Sequence, residues 1–188
     1  LMLSAILAMD ENGGFDNDGA LPWRCREDLN NFKRLTDNRH VIMGRKTWDA
    51  VPQRLFAKNK RCTVVTRDSD YQVQDILKEH VSVINDTDAV NAGIIIGGKS
   101  LILGMIDRID EVYLTVIKGV HDCTMFFNEI FNELDEFTLA SQVETTEATY
   151  YLYRSFSASS SVTSSYSSSF SSSSESSMNE NPLILSGL

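Results

Sequence analysis

Asp28 carries its charge on a segment that otherwise has the pattern of a buried helix. Pro22 fixes its own φ and restricts the residue before it, so Leu21-Pro22-Trp23 reads as a rigid loop entering a helix near Cys25. On that helix Asp28, Phe32 and Leu35 recur at i, i+4 and i+7, which is one face, with Leu29 and Thr36 at its edge. The carboxylate is therefore aimed where the aromatic and aliphatic side chains are aimed. Left unpaired in an interior, an ionised carboxylate is costly, so it needs a partner that donates hydrogen bonds. A position at the helix rim, a local backbone N–H, a core arginine and a ligand all satisfy that need, and the pattern alone leaves them open.

Two further clusters have chemistry in their spacing. Gly44-Arg45-Lys46-Thr47 follows an apolar run and opens a helix, where free backbone N–H groups attract anions, and Arg67 after Thr66 adds another cation. By itself this is a solvated basic cluster; beside a dinucleotide it would suit a 2′-phosphate and so favour NADPH over NADH. Gly93-Ile94-Ile95-Ile96-Gly97-Gly98-Lys99-Ser100 formally satisfies the phosphate-loop pattern G-x-x-x-x-G-K-[ST]. Three consecutive isoleucines favour strand over the inward-turned backbone that such a loop needs, which argues against an NTPase. The better reading is a strand ending at Gly97-Gly98, where missing side chains let a pyrophosphate and a nicotinamide approach the backbone.

The elements that must position these residues alternate. Met2 to Met9 is a buried strand, and Asp10 to Ala20 a glycine-rich loop of lid or binding type. The Asp28 helix leads to a strand at Arg39 to Met43, a helix through about Val51, a basic connection from Pro52 to Lys60 and a strand at Arg61 to Thr66. A short helix is expected around Val73 to Glu79, a strand at Val81 to Ile84, a loop or helical turn at Asp86 to Ala92, and a strand at Ile94 to Ile96. Lys99 to Ile106 has helical spacing, Glu111 to Ile117 strand character, Phe127 to Leu134 helix formers, and Phe137 to Val143 with Tyr150 to Phe156 the look of a closing hairpin. Strands alternating with helices imply an α/β fold with a largely parallel sheet, whose sites lie at the carboxyl ends of its strands. Asp28, Gly44, Thr66 and Gly97 each follow such a strand or its connecting loop, so one cleft could collect them.

Composition bounds the partners. With 188 residues, 42% hydrophobic and 23% charged, the chain holds one ordinary domain with a core. Its net charge of −9 argues against non-specific nucleic-acid binding. Cys25, Cys62 and Cys123 are odd in number and far apart, which reads as free thiols in a reducing compartment, and with His40, His80 and His121 they form no zinc spacing. No run suits a membrane span and the start lacks a signal peptide, so a cytoplasmic protein with no membrane partner is expected. Leu1 in place of an initiator Met points to a fragment or a processed product. From Ser157 to Ser177 the chain is mostly serine and cannot bury enough apolar surface to offset its ordering entropy, so residues 157–188 read as a disordered tail to a domain spanning 1–156.

Leu21-Pro22-Trp23, Asp28-Leu29, Phe32-Lys33, Thr36, Val41 through Trp48, and Ile96-Gly97-Gly98 stand in an order and spacing that resembles dihydrofolate reductase, closest to the bacterial and phage type, from about Leu1 to Phe156. The resemblance implies a central, mostly parallel sheet of about eight strands with an antiparallel C-terminal strand, flanked by about four helices. It implies a monomer that transfers hydride from NADPH to C6 of 7,8-dihydrofolate, with protonation of N5, giving tetrahydrofolate for one-carbon and thymidylate metabolism. Asp28 then matches the carboxylate that bonds the pterin 2-amino group and N3, and Thr115 the hydroxyl that bonds that carboxylate. Leu21 and Trp23 match the loop closing over the nicotinamide. Ser4 and Ile96 would offer carbonyls to the pterin, Ala5, Ile6, Phe32 and Val51 would line it, and Lys60, or Arg61 after a one-residue shift, would meet the glutamate carboxylate. Ile6, Gly14 and Phe15 would hold the nicotinamide. Gly44, Arg45, Lys46, Thr47, Thr66 and Arg67 would hold the adenosine half, and Gly97, Gly98, Lys99, Ser100 and Leu101 the pyrophosphate. Four departures stand out: Asp16 for a lid Gly, Ile102 for a Tyr near the nicotinamide, Cys123 for an Asp supporting the lid, and Lys60 for an Arg whose bidentate fork Lys lacks. The rival readings are a riboflavin-pathway pyrimidine reductase, against which Leu21-Pro22-Trp23 with Asp28 speaks, and a catalytically weak binding or interaction protein of the same fold.

Overall fold

The computed structural model describes residues 2–59 and 61–158; Lys60 and the serine-rich segment from 159 onward lie outside them. The elements are β1 (Leu3–Asp10), β2 (Gly14–Asp16), α1 (Arg26–Thr36), β3 (His40–Gly44), α2 (Arg45–Ala50), α3 (Gln53–Asn59), β4 (Arg61–Val65), β5 (Val81–Ile84), β6 (Gly93–Gly97), α4 (Lys99–Met105), β7 (Glu111–Ile117), β8 (Met125–Phe126), α5 (Ile130–Leu134), β9 (Phe137–Glu144) and β10 (Ala148–Ser155).

Eight strands form one sheet in the order β5-β4-β3-β6-β1-β7-β10-β9. From β5 to β7 every pairing is parallel, and β10 runs antiparallel to both of its neighbours. Parallel strands covered on both faces read as unbroken apolar runs. That is why Val41-Ile42-Met43 and Ile94-Ile95 are fully buried at the centre.

Side chains alternate across the sheet with period two. Leu3, Ala5 and Met9 of β1 point into the core shared with Ile102 and Met105 of α4 and Ile130 of α5. Ile6 points the other way, into the core under Phe32, Trp48 and Phe56 of α1 to α3. Ala8 packs on that second side too, against a cluster holding Trp23 and Tyr150. The site face of β1 is therefore the face of its even-numbered residues.

Three expectations change. The basic connection after Pro52 is helical from Gln53 to Asn59, because Phe56 and Ala57 are buried there, which brings the α-helices among the described residues to five. The helix expected around Val73 to Glu79 is only a 3-10 turn at Asp75–Leu77. The lid segment contains β2, which pairs antiparallel with β8. The cysteines are free thiols as expected. Among the described residues no helix is long and apolar enough to cross a membrane.

Candidate active site

The first turn of α1 lies over β7 and β10. Cys25 caps the helix in an extended conformation without a side-chain hydrogen bond, and Glu27 and Asp28 follow at once. Asp28 is half-buried. Burial lifts its carboxyl from 3.8 to about 6, the Thr115 hydroxyl pulls the other way by donating to the charged form, and the charge of Glu27 adds to the rise. Among the described residues no cation pairs with Asp28, which removes the core-arginine option. The acid is neither in bulk solvent nor neutralised by a neighbour.

Thr115 reaches α1 because it sits on the same face of β7 as Tyr113 and Ile117. In the sheet register Ala8, Thr115 and Tyr150 are adjacent, so β1, β7 and β10 meet beneath Asp28. Ala8 is half-buried at this point. Its sequence signal was its place two residues after Ile6 on the same face.

Trp23 is buried, and its Nε1 has no hydrogen-bond partner among the described residues. Its ring meets the edge of His121 at 5.7 Å. Leu21, two residues earlier, stands 54% exposed, as a loop tip would. Phe32, Val51 and Ile96 are half-buried around Ile6, and the Phe32 ring lies 6.3 Å from that of Phe56 on α3. These residues form an apolar wall beside the carboxylate.

Ser4 and Ala5 are packed inside the fold, with no exposed surface. Ala5 turns into the opposite core by the period-two rule, and the Ser4 hydroxyl, at the amino end of β1, accepts a hydrogen bond from Arg39 at 2.8 Å.

The second half of the cleft lies at the carboxyl ends of β3 and β6. A Cβ on Gly97 or Gly98 would meet Thr47 Oγ1 at 3.1 or 3.5 Å, and one on Gly44 would meet Gly98 N at 3.7 Å. The starts of α2 and α4 therefore touch, and the Gly97-Gly98 peptide between them is cis. Gly97 has φ +145, a conformation that favours glycine. The cations gather nearby at the surface. Arg45 pairs with Asp68 at 3.2 Å and lies 4.5 Å over the Tyr71 ring, while Lys46 and Arg67 are exposed. The Thr66 hydroxyl accepts the Asp68 N–H at 3.2 Å, which shapes the turn carrying Arg67.

Other residues of the expected cofactor set also make contacts within the chain. The Lys99 ammonium donates to Phe126 O at 3.0 Å and to Glu129 at 2.8 Å, so its side chain ties α4 to β8. Leu101 packs into the core and Ser100 is exposed. Gly14 gives its N–H to Asp10 at 2.9 Å, lies opposite Phe126, and is packed so closely on Cys123 that a Cβ would collide with it. Phe15 sets its ring 6.1 Å from Phe127. The Asp10 carboxylate, although burial pushes it up, is held below its ordinary value by the N–H groups of His121, Gly14 and Asn12.

The residues at the meeting of Gly44, Thr47, Gly97 and Gly98 fit a dinucleotide: glycines leave room for its backbone-hugging pyrophosphate, and cations stand at the adenosine end. The comparisons agree with the geometry. The family model for dihydrofolate reductase matches residues 2–157. A dihydrofolate reductase of Staphylococcus aureus is 32% identical over 147 residues, 77% of this chain and 87% of that protein. One from Mycoplasma genitalium is 30% identical over 162 residues, 81% of this chain and 98% of that protein. Among solved structures, the dihydrofolate reductase from Enterococcus faecalis complexed with NADP(H) and RAB-propyl is similar with a TM-score of 0.69 and 26% identity, covering 82% of this chain and 96% of that one. An acid on α1 that no cation pairs among the described residues and glycines where the carboxyl ends of β3 and β6 lie side by side, in a chain matched over nearly all its described length, mean that this protein belongs to the dihydrofolate reductase family.

Proposed function

We infer that the protein reduces 7,8-dihydrofolate to tetrahydrofolate with NADPH, and that Asp28 is the residue that holds the pterin. The observation that carries this is the half-buried Asp28 carboxylate, bonded by Thr115 and facing no cation among the described residues. Such a group is matched by a flat heterocycle offering two N–H donors to one carboxylate. When bound, NADPH supplies the hydride.

The chain's own residues do the rest. Asp28, with its carboxyl at about 6, is mostly ionised near neutrality and so favours the protonated form of a bound pterin. Phe32, Val51, Ile96 and Ile6 exclude water from one side of the ring, and Ala8 lets it approach β1 closely. The unpartnered Trp23 N–H is placed to hold a water or a ligand atom under the lid. Gly44, Thr47, Gly97 and Gly98 receive the pyrophosphate end, while Lys46, Arg67 and Arg45 select a 2′-phosphate. The catalytic unit is the domain of about 1–156, acting as a cytoplasmic monomer, with the serine-rich tail outside it.

The test is NADPH oxidation in the presence of dihydrofolate, with the wild type and Asp28→Asn compared. Turnover by the wild type that falls at least about a hundredfold in the variant is expected. A folded wild type without turnover would overturn the activity, and a fully active variant would overturn the role of Asp28.

A further inference from the structure

Of the two acids on α1, Glu27 is turned inward the more completely, with 7% exposure, although no step above uses it. One of its oxygens accepts the Tyr150 hydroxyl at 2.7 Å and the Thr145 hydroxyl at 2.8 Å. Tyr150 is itself buried on β10 and is the register partner of Thr115, whose hydroxyl serves Asp28. Consecutive carboxylates on one helix are thus held by hydroxyls from adjacent strands at one level of the sheet.

The other groups facing Glu27 bring no positive charge. From the cap of α1 comes the Cys25 thiol and from the β9–β10 turn the Glu147 carboxylate, with the ligand atoms of Cys25, Glu27 and Glu147 all within 4.8 Å of one another. Among the described residues no Lys, Arg or His forms an ion pair with Glu27. Burial, together with the hydrogen bond to Glu27, pushes the Tyr150 phenol up, so it remains a donor across the working range of pH.

We propose that Glu27 is a positioning residue for the reduction: clamped by Tyr150 and Thr145, it locks the first turn of α1 to the β9–β10 hairpin and sets a second acid beside Asp28. The proposal rests on the reading of Asp28 as the pterin-binding acid. Like charges on adjacent buried groups titrate as a coupled pair, so removing one moves the other.

The experiment is the pH dependence of kcat/KM for dihydrofolate in the full chain, for the wild type and Glu27→Gln. Reduction consumes a proton, so the rate falls as pH rises past the point where the cleft gives one up. Glutamine keeps the size and an acceptor oxygen but no charge. Its fall is expected at lower pH, by about half a unit or more, with the acidic plateau within about threefold of the wild type. Tyr150→Phe, which takes away one of the two hydroxyls that hold Glu27 in place beside Asp28, moves the fall in the same direction by less. A folded Glu27→Gln variant with an unmoved profile overturns the proposal and leaves only a structural clamp. If that variant does not fold, Tyr150→Phe and Thr145→Val decide the matter, and an unmoved profile in both overturns it. Failure of the underlying reading is seen separately, as a wild type without turnover or a fully active Asp28→Asn.

Discussion

The hydroxyl of Thr115 on β7 donates to the carboxylate of Asp28 on α1, and among the described residues this is the interaction that favours its charged form. Thr115→Val removes it while keeping the shape. A hydrogen bond to a charged group is worth roughly 1.5–3 kcal/mol, so KM for dihydrofolate is expected to rise about tenfold or more. The pH profile should move upward, opposite to the shift expected for Glu27→Gln. Steady-state kinetics over pH check both signs.

Asp28→Asn is expected to stabilise the free protein while disabling it. The folded carboxyl stands at about 6 against an ordinary 3.8, so between those values the unfolded chain gives up its proton first and wild-type stability falls as pH rises. Above the upper value the penalty is complete and amounts to as much as about 3 kcal/mol, and below the lower value it vanishes. Denaturant titrations should therefore show the variant more stable at neutral pH and equal to the wild type in strong acid.

Gly97→Ala and Gly98→Ala separate folding from cofactor binding. At Gly97 a methyl meets Thr47 at 3.1 Å in a left-handed conformation, so a loss of about 1–3 kcal/mol in stability is expected. At Gly98 the same contact is an ordinary 3.5 Å, with nothing else nearby, and the methyl stands in the opening instead. Gly98→Ala should melt like the wild type but bind NADPH about tenfold or more weakly, as measured by nucleotide fluorescence.

Asp68 competes with a phosphate for Arg45, which it already holds at 3.2 Å. Asp68→Asn is expected to lower KM for NADPH severalfold without affecting NADH. Arg67→Ala should do the reverse, weakening NADPH alone by about tenfold. The ratio of kcat/KM for the two nucleotides reports each change.

Much of this was legible in residue order. Asp28 with Phe32 marked a buried helix face, and Gly97-Gly98 after three isoleucines marked a strand end, because local sterics decide both. Glu27 was not legible. Its partners, Thr145 and Tyr150, are more than a hundred positions away, and the apolar stripe of α1 reports only the side facing the sheet centre, whereas Glu27 and Asn31 form a second, polar buried face. The same distance in sequence hid β2, whose pairing with β8 no local pattern announces. The tie from Lys99 to Phe126 and Glu129 is likewise between residues far apart in sequence, and no local pattern announces it.

Asp10 gathers the amides of Asn12, Gly14 and His121 onto a single carboxylate, and the Cys123 thiol lies 3.6 Å from the same group. Two surface loops more than a hundred positions apart therefore share one hinge pin, and neither can swing alone. The bulk tolerated at position 123 is bounded by the hydrogen that glycine offers at position 14, so enlarging one side without hollowing the other would jam the front of the cleft half-open.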